Sequence, residues 1–411
     1  MIEGRESGMR KTKNFVVIGL LLLGSFMLAL SEEPIIIGKL GEEGELVFPS
    51  QAAEGPDGNI YVYDAMDAFI KVYSPEGKFL RKFGGEGQGP GEIQRAGGAW
   101  FGFTPSGKLF FTEFFGGHRW ITIMELSGKL YETVTIDISE VFGVIEAYPL
   151  EDGGFLLELA YSFTPEIRDD YFFYRIPHEL VRMDSGGKII SRIKKTDPIT
   201  RISYRHDGGD APVPFTPEFD WAPFESNTVL FSDGLSTKWS VYDYEGKLIR
   251  EIEVPLPEPK KVTKKDLDEW RERWKENVNT DWYNRFGIVV EKYKKSIYER
   301  RPNLDAFSMT PDGNVLVAGS AEAGTEHVDY WLLDKEGKIL VKGRTDVSGL
   351  RITQNFIFYG VRDEEENYQL YVLRRKGTET RDLKKVLKLK VKLAVLNILL
   401  FTSTLEESRM S

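Results

Sequence analysis

Short segments in which apolar and polar side chains alternate recur along most of the chain. Residues 59–63 and 69–73 are two of them, and both are rich in Ile, Val, Tyr and Phe. A period of two with β-branched and aromatic residues predicts β-strands, because successive side chains of a strand point to opposite faces. The pattern therefore predicts a protein built mainly from many short strands.

Two kinds of turn separate the strands, and both recur. The first is a polar residue followed by Gly-Lys between two apolar strands, and its glycines are Gly77, Gly128, Gly187, Gly246 and Gly337, with a degenerate copy at Gly377. The second precedes each of these and lies at residues 56–59, 105–108, 151–154, 225–227, 311–314 and 353–355. Pro presets φ for a turn and Gly or Asn accepts a positive φ, so both patterns indicate turns.

Successive Gly-Lys turns are 51, 59, 59, 91 and 40 residues apart. Two turns per unit predict a four-stranded antiparallel meander, and repeats of this length predict propeller blades. We therefore expect an all-β fold, a six-bladed β-propeller of four-stranded antiparallel blades. The sixth unit has only three strands of its own. Residues 34–46 match the outer strand and linker of the first unit, so the N-terminal strand is expected to complete blade 6 and close the ring.

The first unit resembles a known family. Residues 60–64 (IYVYD), 69–73 (FIKVY), 76–79 (EGKF) and 84–93 (GGEGQGPGEI) are similar to the NHL-type six-bladed β-propeller proteins of bacteria. Asp67 and Phe69 stand where the family pattern has an Asn and an Arg. The resemblance implies the fold and says little about function, because propellers bind, scaffold and catalyse.

Composition narrows the function classes. The formal charge is −10 and the pI about 5.3, so the protein repels phosphate backbones and nucleic acid is not an expected partner. The chain has no Cys, which excludes disulfides and thiolate chemistry. We expect a monomer stabilised by packing and ring closure.

The N-terminal segment predicts export. Residues 9–13 are basic, residues 15–30 are almost entirely apolar, and Ala29 and Ser31 are small residues before an acidic pair. This is typical of a signal peptide, here residues 1–31 with an N-terminal extension, and it predicts a periplasmic or extracellular location. An uncleaved anchor is the alternative, although the apolar run is shorter than the roughly 20 residues that cross a bilayer.

The expected propeller occupies residues 32–382, with a two-helix insertion between blades 4 and 5 at residues 255–301. Aromatic residues recur there at helical spacing, among them Trp270 and Trp282. The insertion is either a cap packed on the ring or a stacking platform for a sugar or peptide. Residues 383–411 form an apolar and basic tail that fits a strand or a short helix, and no transmembrane span is expected in the mature chain.

Long connections are expected on only one face of the ring, where binding residues usually concentrate. We call it the long-loop face. Candidate ligand-binding residues there are His118, Arg119, Arg205, His206, Asp207, Trp282 and His327. With His178, the histidines offer ligands for zinc but lack close spacing, and the cluster at residues 205–210 is a carboxylate-binding loop, a calcium-binding loop or an ordinary solvated one. Carboxylates that end second strands, such as Asp64, Glu113 and Asp233, are expected to bond neighbouring backbone.

Three functions are therefore open. The preferred one is a non-catalytic binding or scaffold propeller that recognises a glycan, a peptide or an envelope protein on its long-loop face, with no cofactor. The second is a metal-dependent hydrolase or lyase with zinc or calcium at the central channel. The third is a structural module that docks through its C-terminal tail.

Overall fold

The computed structural model describes residues 33–87, 91–93, 99–113, 119–162, 166–168, 171–196, 199–204, 210–217, 219–277, 299–320, 327–362 and 368–387. Their strands form seven four-stranded antiparallel sheets, of which six are the blades of a propeller and one is an accessory sheet. The six-bladed all-β fold predicted from the sequence is thus confirmed.

The chain starts with β1 (Ile35–Ile37) and then builds the blades in order, each from its innermost strand outward. Blade 1 has β2 (Pro49–Glu54), β3 (Ile60–Asp64), β4 (Phe69–Tyr73) and β5 (Phe79–Gly84), and blade 2 has β6 (Ala99–Phe103), β7 (Leu109–Glu113), β8 (Trp120–Met124) and β9 (Leu130–Thr135). Blade 3 has β10 (Val141–Pro149), β11 (Phe155–Tyr161), β14 (His178–Met183) and β15 (Ile189–Lys195). Blade 4 has β18 (Asp220–Pro223), β19 (Thr228–Ser232), β20 (Lys238–Asp243) and β21 (Leu248–Glu253), and blade 5 has β22 (Leu304–Met309), β23 (Val315–Gly319), β24 (Val328–Leu333) and β25 (Ile339–Thr345). Blade 6 has β26 (Ser348–Ile352), β27 (Phe356–Arg362) and β28 (Tyr368–Arg374).

Strand β1 supplies the outer strand of blade 6 and closes the ring, as predicted. It pairs antiparallel with β28, so that Ile35 lies opposite Val372 and Ile37 opposite Leu370. The side chain of Ile37 is buried in the apolar cluster between blades 6 and 1. Closure thus joins the two ends of the propeller by both hydrogen bonds and a hydrophobic contact.

The core lies between the blades. One apolar cluster fills each of the six blade interfaces, including the closing one between blades 6 and 1. Alternate residues of a strand enter different clusters: Tyr61 and Tyr63 pack toward blade 2, and Ile60 and Val62 pack toward blade 6. A blade strand therefore needs apolar side chains on both faces, which explains the fully buried strand β3.

The glycine of the Gly-Lys turn has a second role besides its positive φ. A Cβ on Gly187 would lie 1.9 Å from the carbonyl oxygen of Thr135, at the end of the outer strand of blade 2. A Cβ on Gly246 would lie 2.6 Å from the carbonyl oxygen of Arg192, in the outer strand of blade 3. The turn thus packs closely against the preceding blade, and a larger residue would separate the two blades.

An accessory sheet extends blade 3 on the long-loop face. It has the order β12 (Glu166–Arg168), β13 (Tyr171–Ile176), β16 (Ile199–Tyr204) and β17 (Asp210–Pro212). Strands β13 and β16 continue the hairpin of β14 and β15, with only one residue between β13 and β14. The sequence predicted long connections on this face, and the structure shows that two of them contain strands that pair with each other.

Two helices complete the described chain. The first, α1 (Lys264–Asn277), lies between blades 4 and 5 and confirms the first predicted helix there. The second predicted helix, which contains Trp282, lies outside the described residues. Neither helix of the described chain is long and apolar enough to cross a lipid bilayer.

The second helix, α2 (Glu379–Val386), packs against blades 5 and 6. The carboxylate of Glu379 accepts hydrogen bonds from the Thr310 hydroxyl and the Asn314 amide in a turn of blade 5. Leu383 and Val386 are fully buried in the cluster between the two blades. The helix crosses position 382, where the sequence placed the start of the tail. A truncation meant to remove only the tail must therefore begin after Leu387.

Candidate functional site

The residues proposed from the sequence as a binding site are only partly described. His118, Arg205, His206, Asp207 and Trp282 lie outside the described residues.

Two of the proposed residues, Arg119 and His327, are described. The Arg119 guanidinium donates to the carbonyl oxygen of Ile138 at 3.3 Å. His327 is about half exposed and its Nδ1 contacts the carboxylate of Asp346. Arg119 stands beside blade 2 and His327 beside blade 5, so the structure does not bring these two together.

The long-loop end of blade 1 is held by a buried ionic network. The carboxylate of Asp64 is fully buried and accepts hydrogen bonds of 2.8 Å from the amides of Val47 and Phe48, as expected for this position. Lys71 donates to Asp64 at 2.7 Å and to Asp67 at 2.9 Å. Burial lowers the pKa of Lys71, but the hydrogen bonds to both carboxylates outweigh it and hold the pKa above its ordinary value. The network therefore keeps the ammonium charged.

This network presents three apolar side chains to solvent. Val47 and Phe48 precede the innermost strand β2, and Met66 lies in the loop between β3 and β4; their exposed fractions are 48%, 58% and 70%. The amide of Ala65 donates to the carbonyl oxygen of Phe48 at 2.9 Å, which joins the two segments. We call Val47, Phe48 and Met66 the rim patch, because they border the mouth of the central channel. Exposed apolar side chains grouped on a rigid support are typical of interaction sites.

The channel contains charged side chains that the sequence analysis did not select. Glu146 is in β10 of blade 3, Asp220 in β18 of blade 4 and Arg351 in β26 of blade 6, all innermost strands. The register of β10 shifts between Val144 and Glu146, and this β-bulge places Glu146 opposite Glu158. Bulges commonly redirect side chains at functional sites.

Asp220 and Glu158 are each satisfied by neighbours. Asp220 accepts from the amides of Trp221 and of Phe307 in blade 5. The Glu158 carboxylate accepts from the Trp221 indole at 3.1 Å and contacts Nδ1 of His178 at 2.7 Å. His178, a histidine noted in the sequence, is therefore buried at the interface of blades 3 and 4, and its Nε2 has no hydrogen-bonding partner among the described residues.

Glu146 and Arg351 differ from these satisfied groups. Neither forms a hydrogen bond or an ion pair with any side chain in the described part of the chain. Burial raises the pKa of Glu146 well above its ordinary value, and Asp220 and Glu158 raise it further, whereas Arg351 lowers it. Burial lowers the pKa of Arg351, and the charge of Glu146 opposes that effect. The channel therefore holds a carboxyl group with a raised pKa and a guanidinium with a lowered pKa, and neither forms an ion pair within the described residues.

Trp100 orients this guanidinium. Its indole nitrogen donates to the carbonyl oxygen of Ala147 at 3.1 Å, and its ring centroid lies 6.0 Å from the guanidinium carbon of Arg351. A cation above an aromatic face is held in place while the donors at its edge stay available. Arg351 belongs to blade 6 and Trp100 to blade 2. The guanidinium therefore lies in front of blade 1, on the same side of the channel as the rim patch.

The described residues do not assemble a metal centre: among them, no three His, Asp or Glu side chains converge closely enough to hold a metal ion. His118 and His206, two of the histidines considered for such a site, fall outside this search. The conjecture of zinc or calcium at the channel thus stays a prediction.

Comparisons with known proteins find similar solved structures at low sequence identity. No protein-family model matches the chain, and no curated protein matches its sequence. A solved protein from Bacteroides fragilis that is thought to be exported is 12% identical over 84% of this chain and 95% of its own, with a TM-score of 0.46. A member of the duf4221 family from Bacteroides vulgatus is 9% identical over 85% of this chain and 98% of its own, with a TM-score of 0.45.

A streptogramin B lyase is also similar, at 9% identity over 84% of this chain and 98% of its own, with a TM-score of 0.41. Likeness at this level carries no argument about activity. The six-bladed fold that the NHL-type resemblance implied is shown by the strand pairing of the chain itself, and the NHL family is not confirmed.

Proposed function

We propose that this chain is an extracytoplasmic, non-catalytic binding propeller that recognises a glycan, a peptide or a protein on its long-loop face. The observation that supports it best is the rim patch, in which Phe48 and Met66 are more than half exposed beside the channel mouth. Aromatic and Met side chains are enriched at the centres of interfaces, where they supply large contact areas.

The way the patch is built supports the same proposal. Apolar side chains cost stability when they stand in water, yet here two backbone amides and a buried ion pair hold them there. Ala68, which closes the loop of Met66, has a φ of +57°, a conformation that side chains other than Gly rarely adopt. Strain of this kind usually persists at sites where a fixed shape serves a function.

Export is the second part of the proposal. It rests on the basic and apolar segment of residues 9–31. Mass spectrometry of the protein secreted or released from the periplasm checks it, because cleavage after Ser31 leaves Glu32 as the first residue. Recovery of the intact N-terminus in a membrane fraction would contradict it.

The binding test uses the labelled mature chain on glycan and peptide arrays. The variant Phe48→Ser with Met66→Ser removes the apolar surface of the patch, and Ile249→Ser is the matched control, because Ile249 is 50% exposed on the outer strand of blade 4. We expect the double variant to lose at least about tenfold in affinity and the control to bind as the parent does. Equal binding of all three proteins would contradict a site at the rim.

Elemental analysis of the same preparation separates the binding function from the enzymatic one. A protein free of zinc and calcium that binds an array ligand supports the proposal. The alternative result is that the protein retains one equivalent of either metal and that a chelator removes the metal and lowers the stability of the protein. This result would favour the hydrolase or lyase with a site at the channel.

A further inference from the structure

The guanidinium of Arg351 is the least explained charge of the described chain. Arg351 is partly buried in the innermost strand of blade 6, its guanidinium carbon lies 6.0 Å from the ring centroid of Trp100, and no carboxylate of the described residues forms an ion pair with it. A partly buried cation without an ion-pair partner has lost some of its hydration, so an anion that enters the channel would gain from the contact. A guanidinium presents two parallel N–H donors, which suit the two oxygens of a carboxylate.

The pKa of Glu146 bears on the binding of such an anion. Burial raises the pKa of its carboxyl group, Asp220 and Glu158 raise it further, and Arg351 lowers it, so the net shift is toward the protonated form. A neutral carboxyl group can donate one hydrogen bond and accept another. It can therefore donate to a carboxylate or accept from an amide, without the repulsion of a second negative charge.

The rim patch lies above the same side of the channel. Val47 and Phe48 directly precede the innermost strand of blade 1. The side chain of Arg351, in blade 6, extends toward Trp100 of blade 2, and blade 1 lies between these two blades. Arg351 is the last residue but one of β26 and lies toward the turn face, so a ligand on the rim reaches it by extending along the channel. The rim carries Val and Met besides its one aromatic ring, and these suit apolar amino-acid side chains better than the stacking faces of sugars.

We propose that the ligand is a peptide with a free C-terminus, whose carboxylate binds Arg351 in the channel while its preceding side chains contact the rim patch. This rests on the proposed binding function and narrows it to one ligand class. Glu146 contacts the same carboxylate or the last amide of the peptide.

The experiment presents one peptide library twice to the full mature chain, once with free carboxylates and once with C-terminal carboxamides. We expect hits in the first library that bind at least about tenfold more weakly as carboxamides. Equal binding of the two forms, or binding confined to glycans that contain uronic acids, would overturn the peptide carboxylate while leaving a binding propeller in place. An absence of hits on every peptide and glycan surface would instead count against the proposed function itself.

Two variants test whether Arg351 is the residue that contacts the peptide carboxylate. Arg351→Met should bring the affinity for the free acid down to that for the carboxamide and leave the carboxamide affinity unchanged. Arg250→Met, which removes an exposed guanidinium on the outer strand of blade 4, should behave as the parent. A free-acid preference that survives Arg351→Met in a folded protein would contradict the assignment. If Arg351→Met does not fold, the comparison of acid with carboxamide on the unchanged chain still decides the proposal.

Discussion

The two faces of the propeller are built by different means. On the turn face, blades 1 to 5 share the Gly-Lys turn, and that turn packs on the outer strand of the blade before it. On the long-loop face, connections differ from blade to blade, and separate polar networks hold them, such as Asp64 with Lys71 in blade 1 and Glu179 with Arg192 in blade 3. The comparison teaches that the repeated face carries the ring geometry, whereas the irregular face is stabilised locally and is free to carry a site.

Removal of the ammonium at the centre of the blade 1 network should have the largest effect. Lys71→Met leaves Asp64 and Asp67 close together without their cation, and we expect a loss of about 3 to 5 kcal/mol in the free energy of unfolding. Chemical denaturation measures it. The control Arg250→Met breaks an exposed pair with Glu225 and should cost at most about 1 kcal/mol. A small loss for Lys71→Met would mean that backbone contacts alone hold this end of the blade.

The turn face is tested by two glycines that share a positive φ and differ in their surroundings. A Cβ on Gly187 meets a carbonyl oxygen of blade 2, whereas a Cβ on Gly313 has no neighbour within 4 Å. Gly313→Ala should cost about 1 to 2 kcal/mol from its backbone conformation, and Gly187→Ala about 2 kcal/mol more from the clash. Thermal unfolding of both variants checks the order. Equal losses would show that blade contact adds nothing to the requirement for glycine.

Glu146 is predicted to destabilise the folded ring as the pH rises. Its pKa is raised in the folded protein, so the folded state keeps the proton to higher pH than the unfolded chain does. Stability is therefore lost as the pH rises from the ordinary glutamate value through the folded one. Glu146→Gln removes this loss and should be the more stable protein at neutral pH, by about 1.4 kcal/mol for each unit of the shift.

Unfolding measured from pH 4 to pH 8 tests this prediction. The two proteins should agree at the acidic end and diverge as the pH increases. A constant difference, or a parent that gains stability with pH relative to the variant, would contradict the raised pKa.

The rim patch should have the smallest effect on stability. Phe48→Ser and Met66→Ser replace exposed side chains that are not part of the apolar clusters, and each should change the free energy of unfolding by less than about 0.5 kcal/mol. Differential scanning calorimetry measures it. A large loss would show that these side chains support the fold, which would weaken their assignment to ligand binding.

The sequence predicted the ring in some detail and the site poorly. Alternation in β3 and β4, the two turns of each unit and the N-terminal match to a blade linker led to six blades and to closure by β1. The accessory sheet was not foreseen, because β12 and β17 have only three residues each and the central pairing of β13 with β16 joins strands that are separated by β14 and β15. Polar clusters in loops drew attention to residues such as His206, whereas Glu146 and Arg351 stand alone in their strands. The signal that could have identified these two residues was a charged side chain within a strand that is innermost in its blade.

By itself, the sequence determined the number and order of the blade strands, because side-chain periodicity and turn residues act over a few positions. Only the tertiary structure decided which side chains meet in the channel. Arg351 and Trp100 are about 250 residues apart and belong to blades on either side of blade 1, which become neighbours only once β1 joins the two ends of the chain. Ring closure therefore assembles the candidate site, and local sequence patterns cannot predict which side chains meet there.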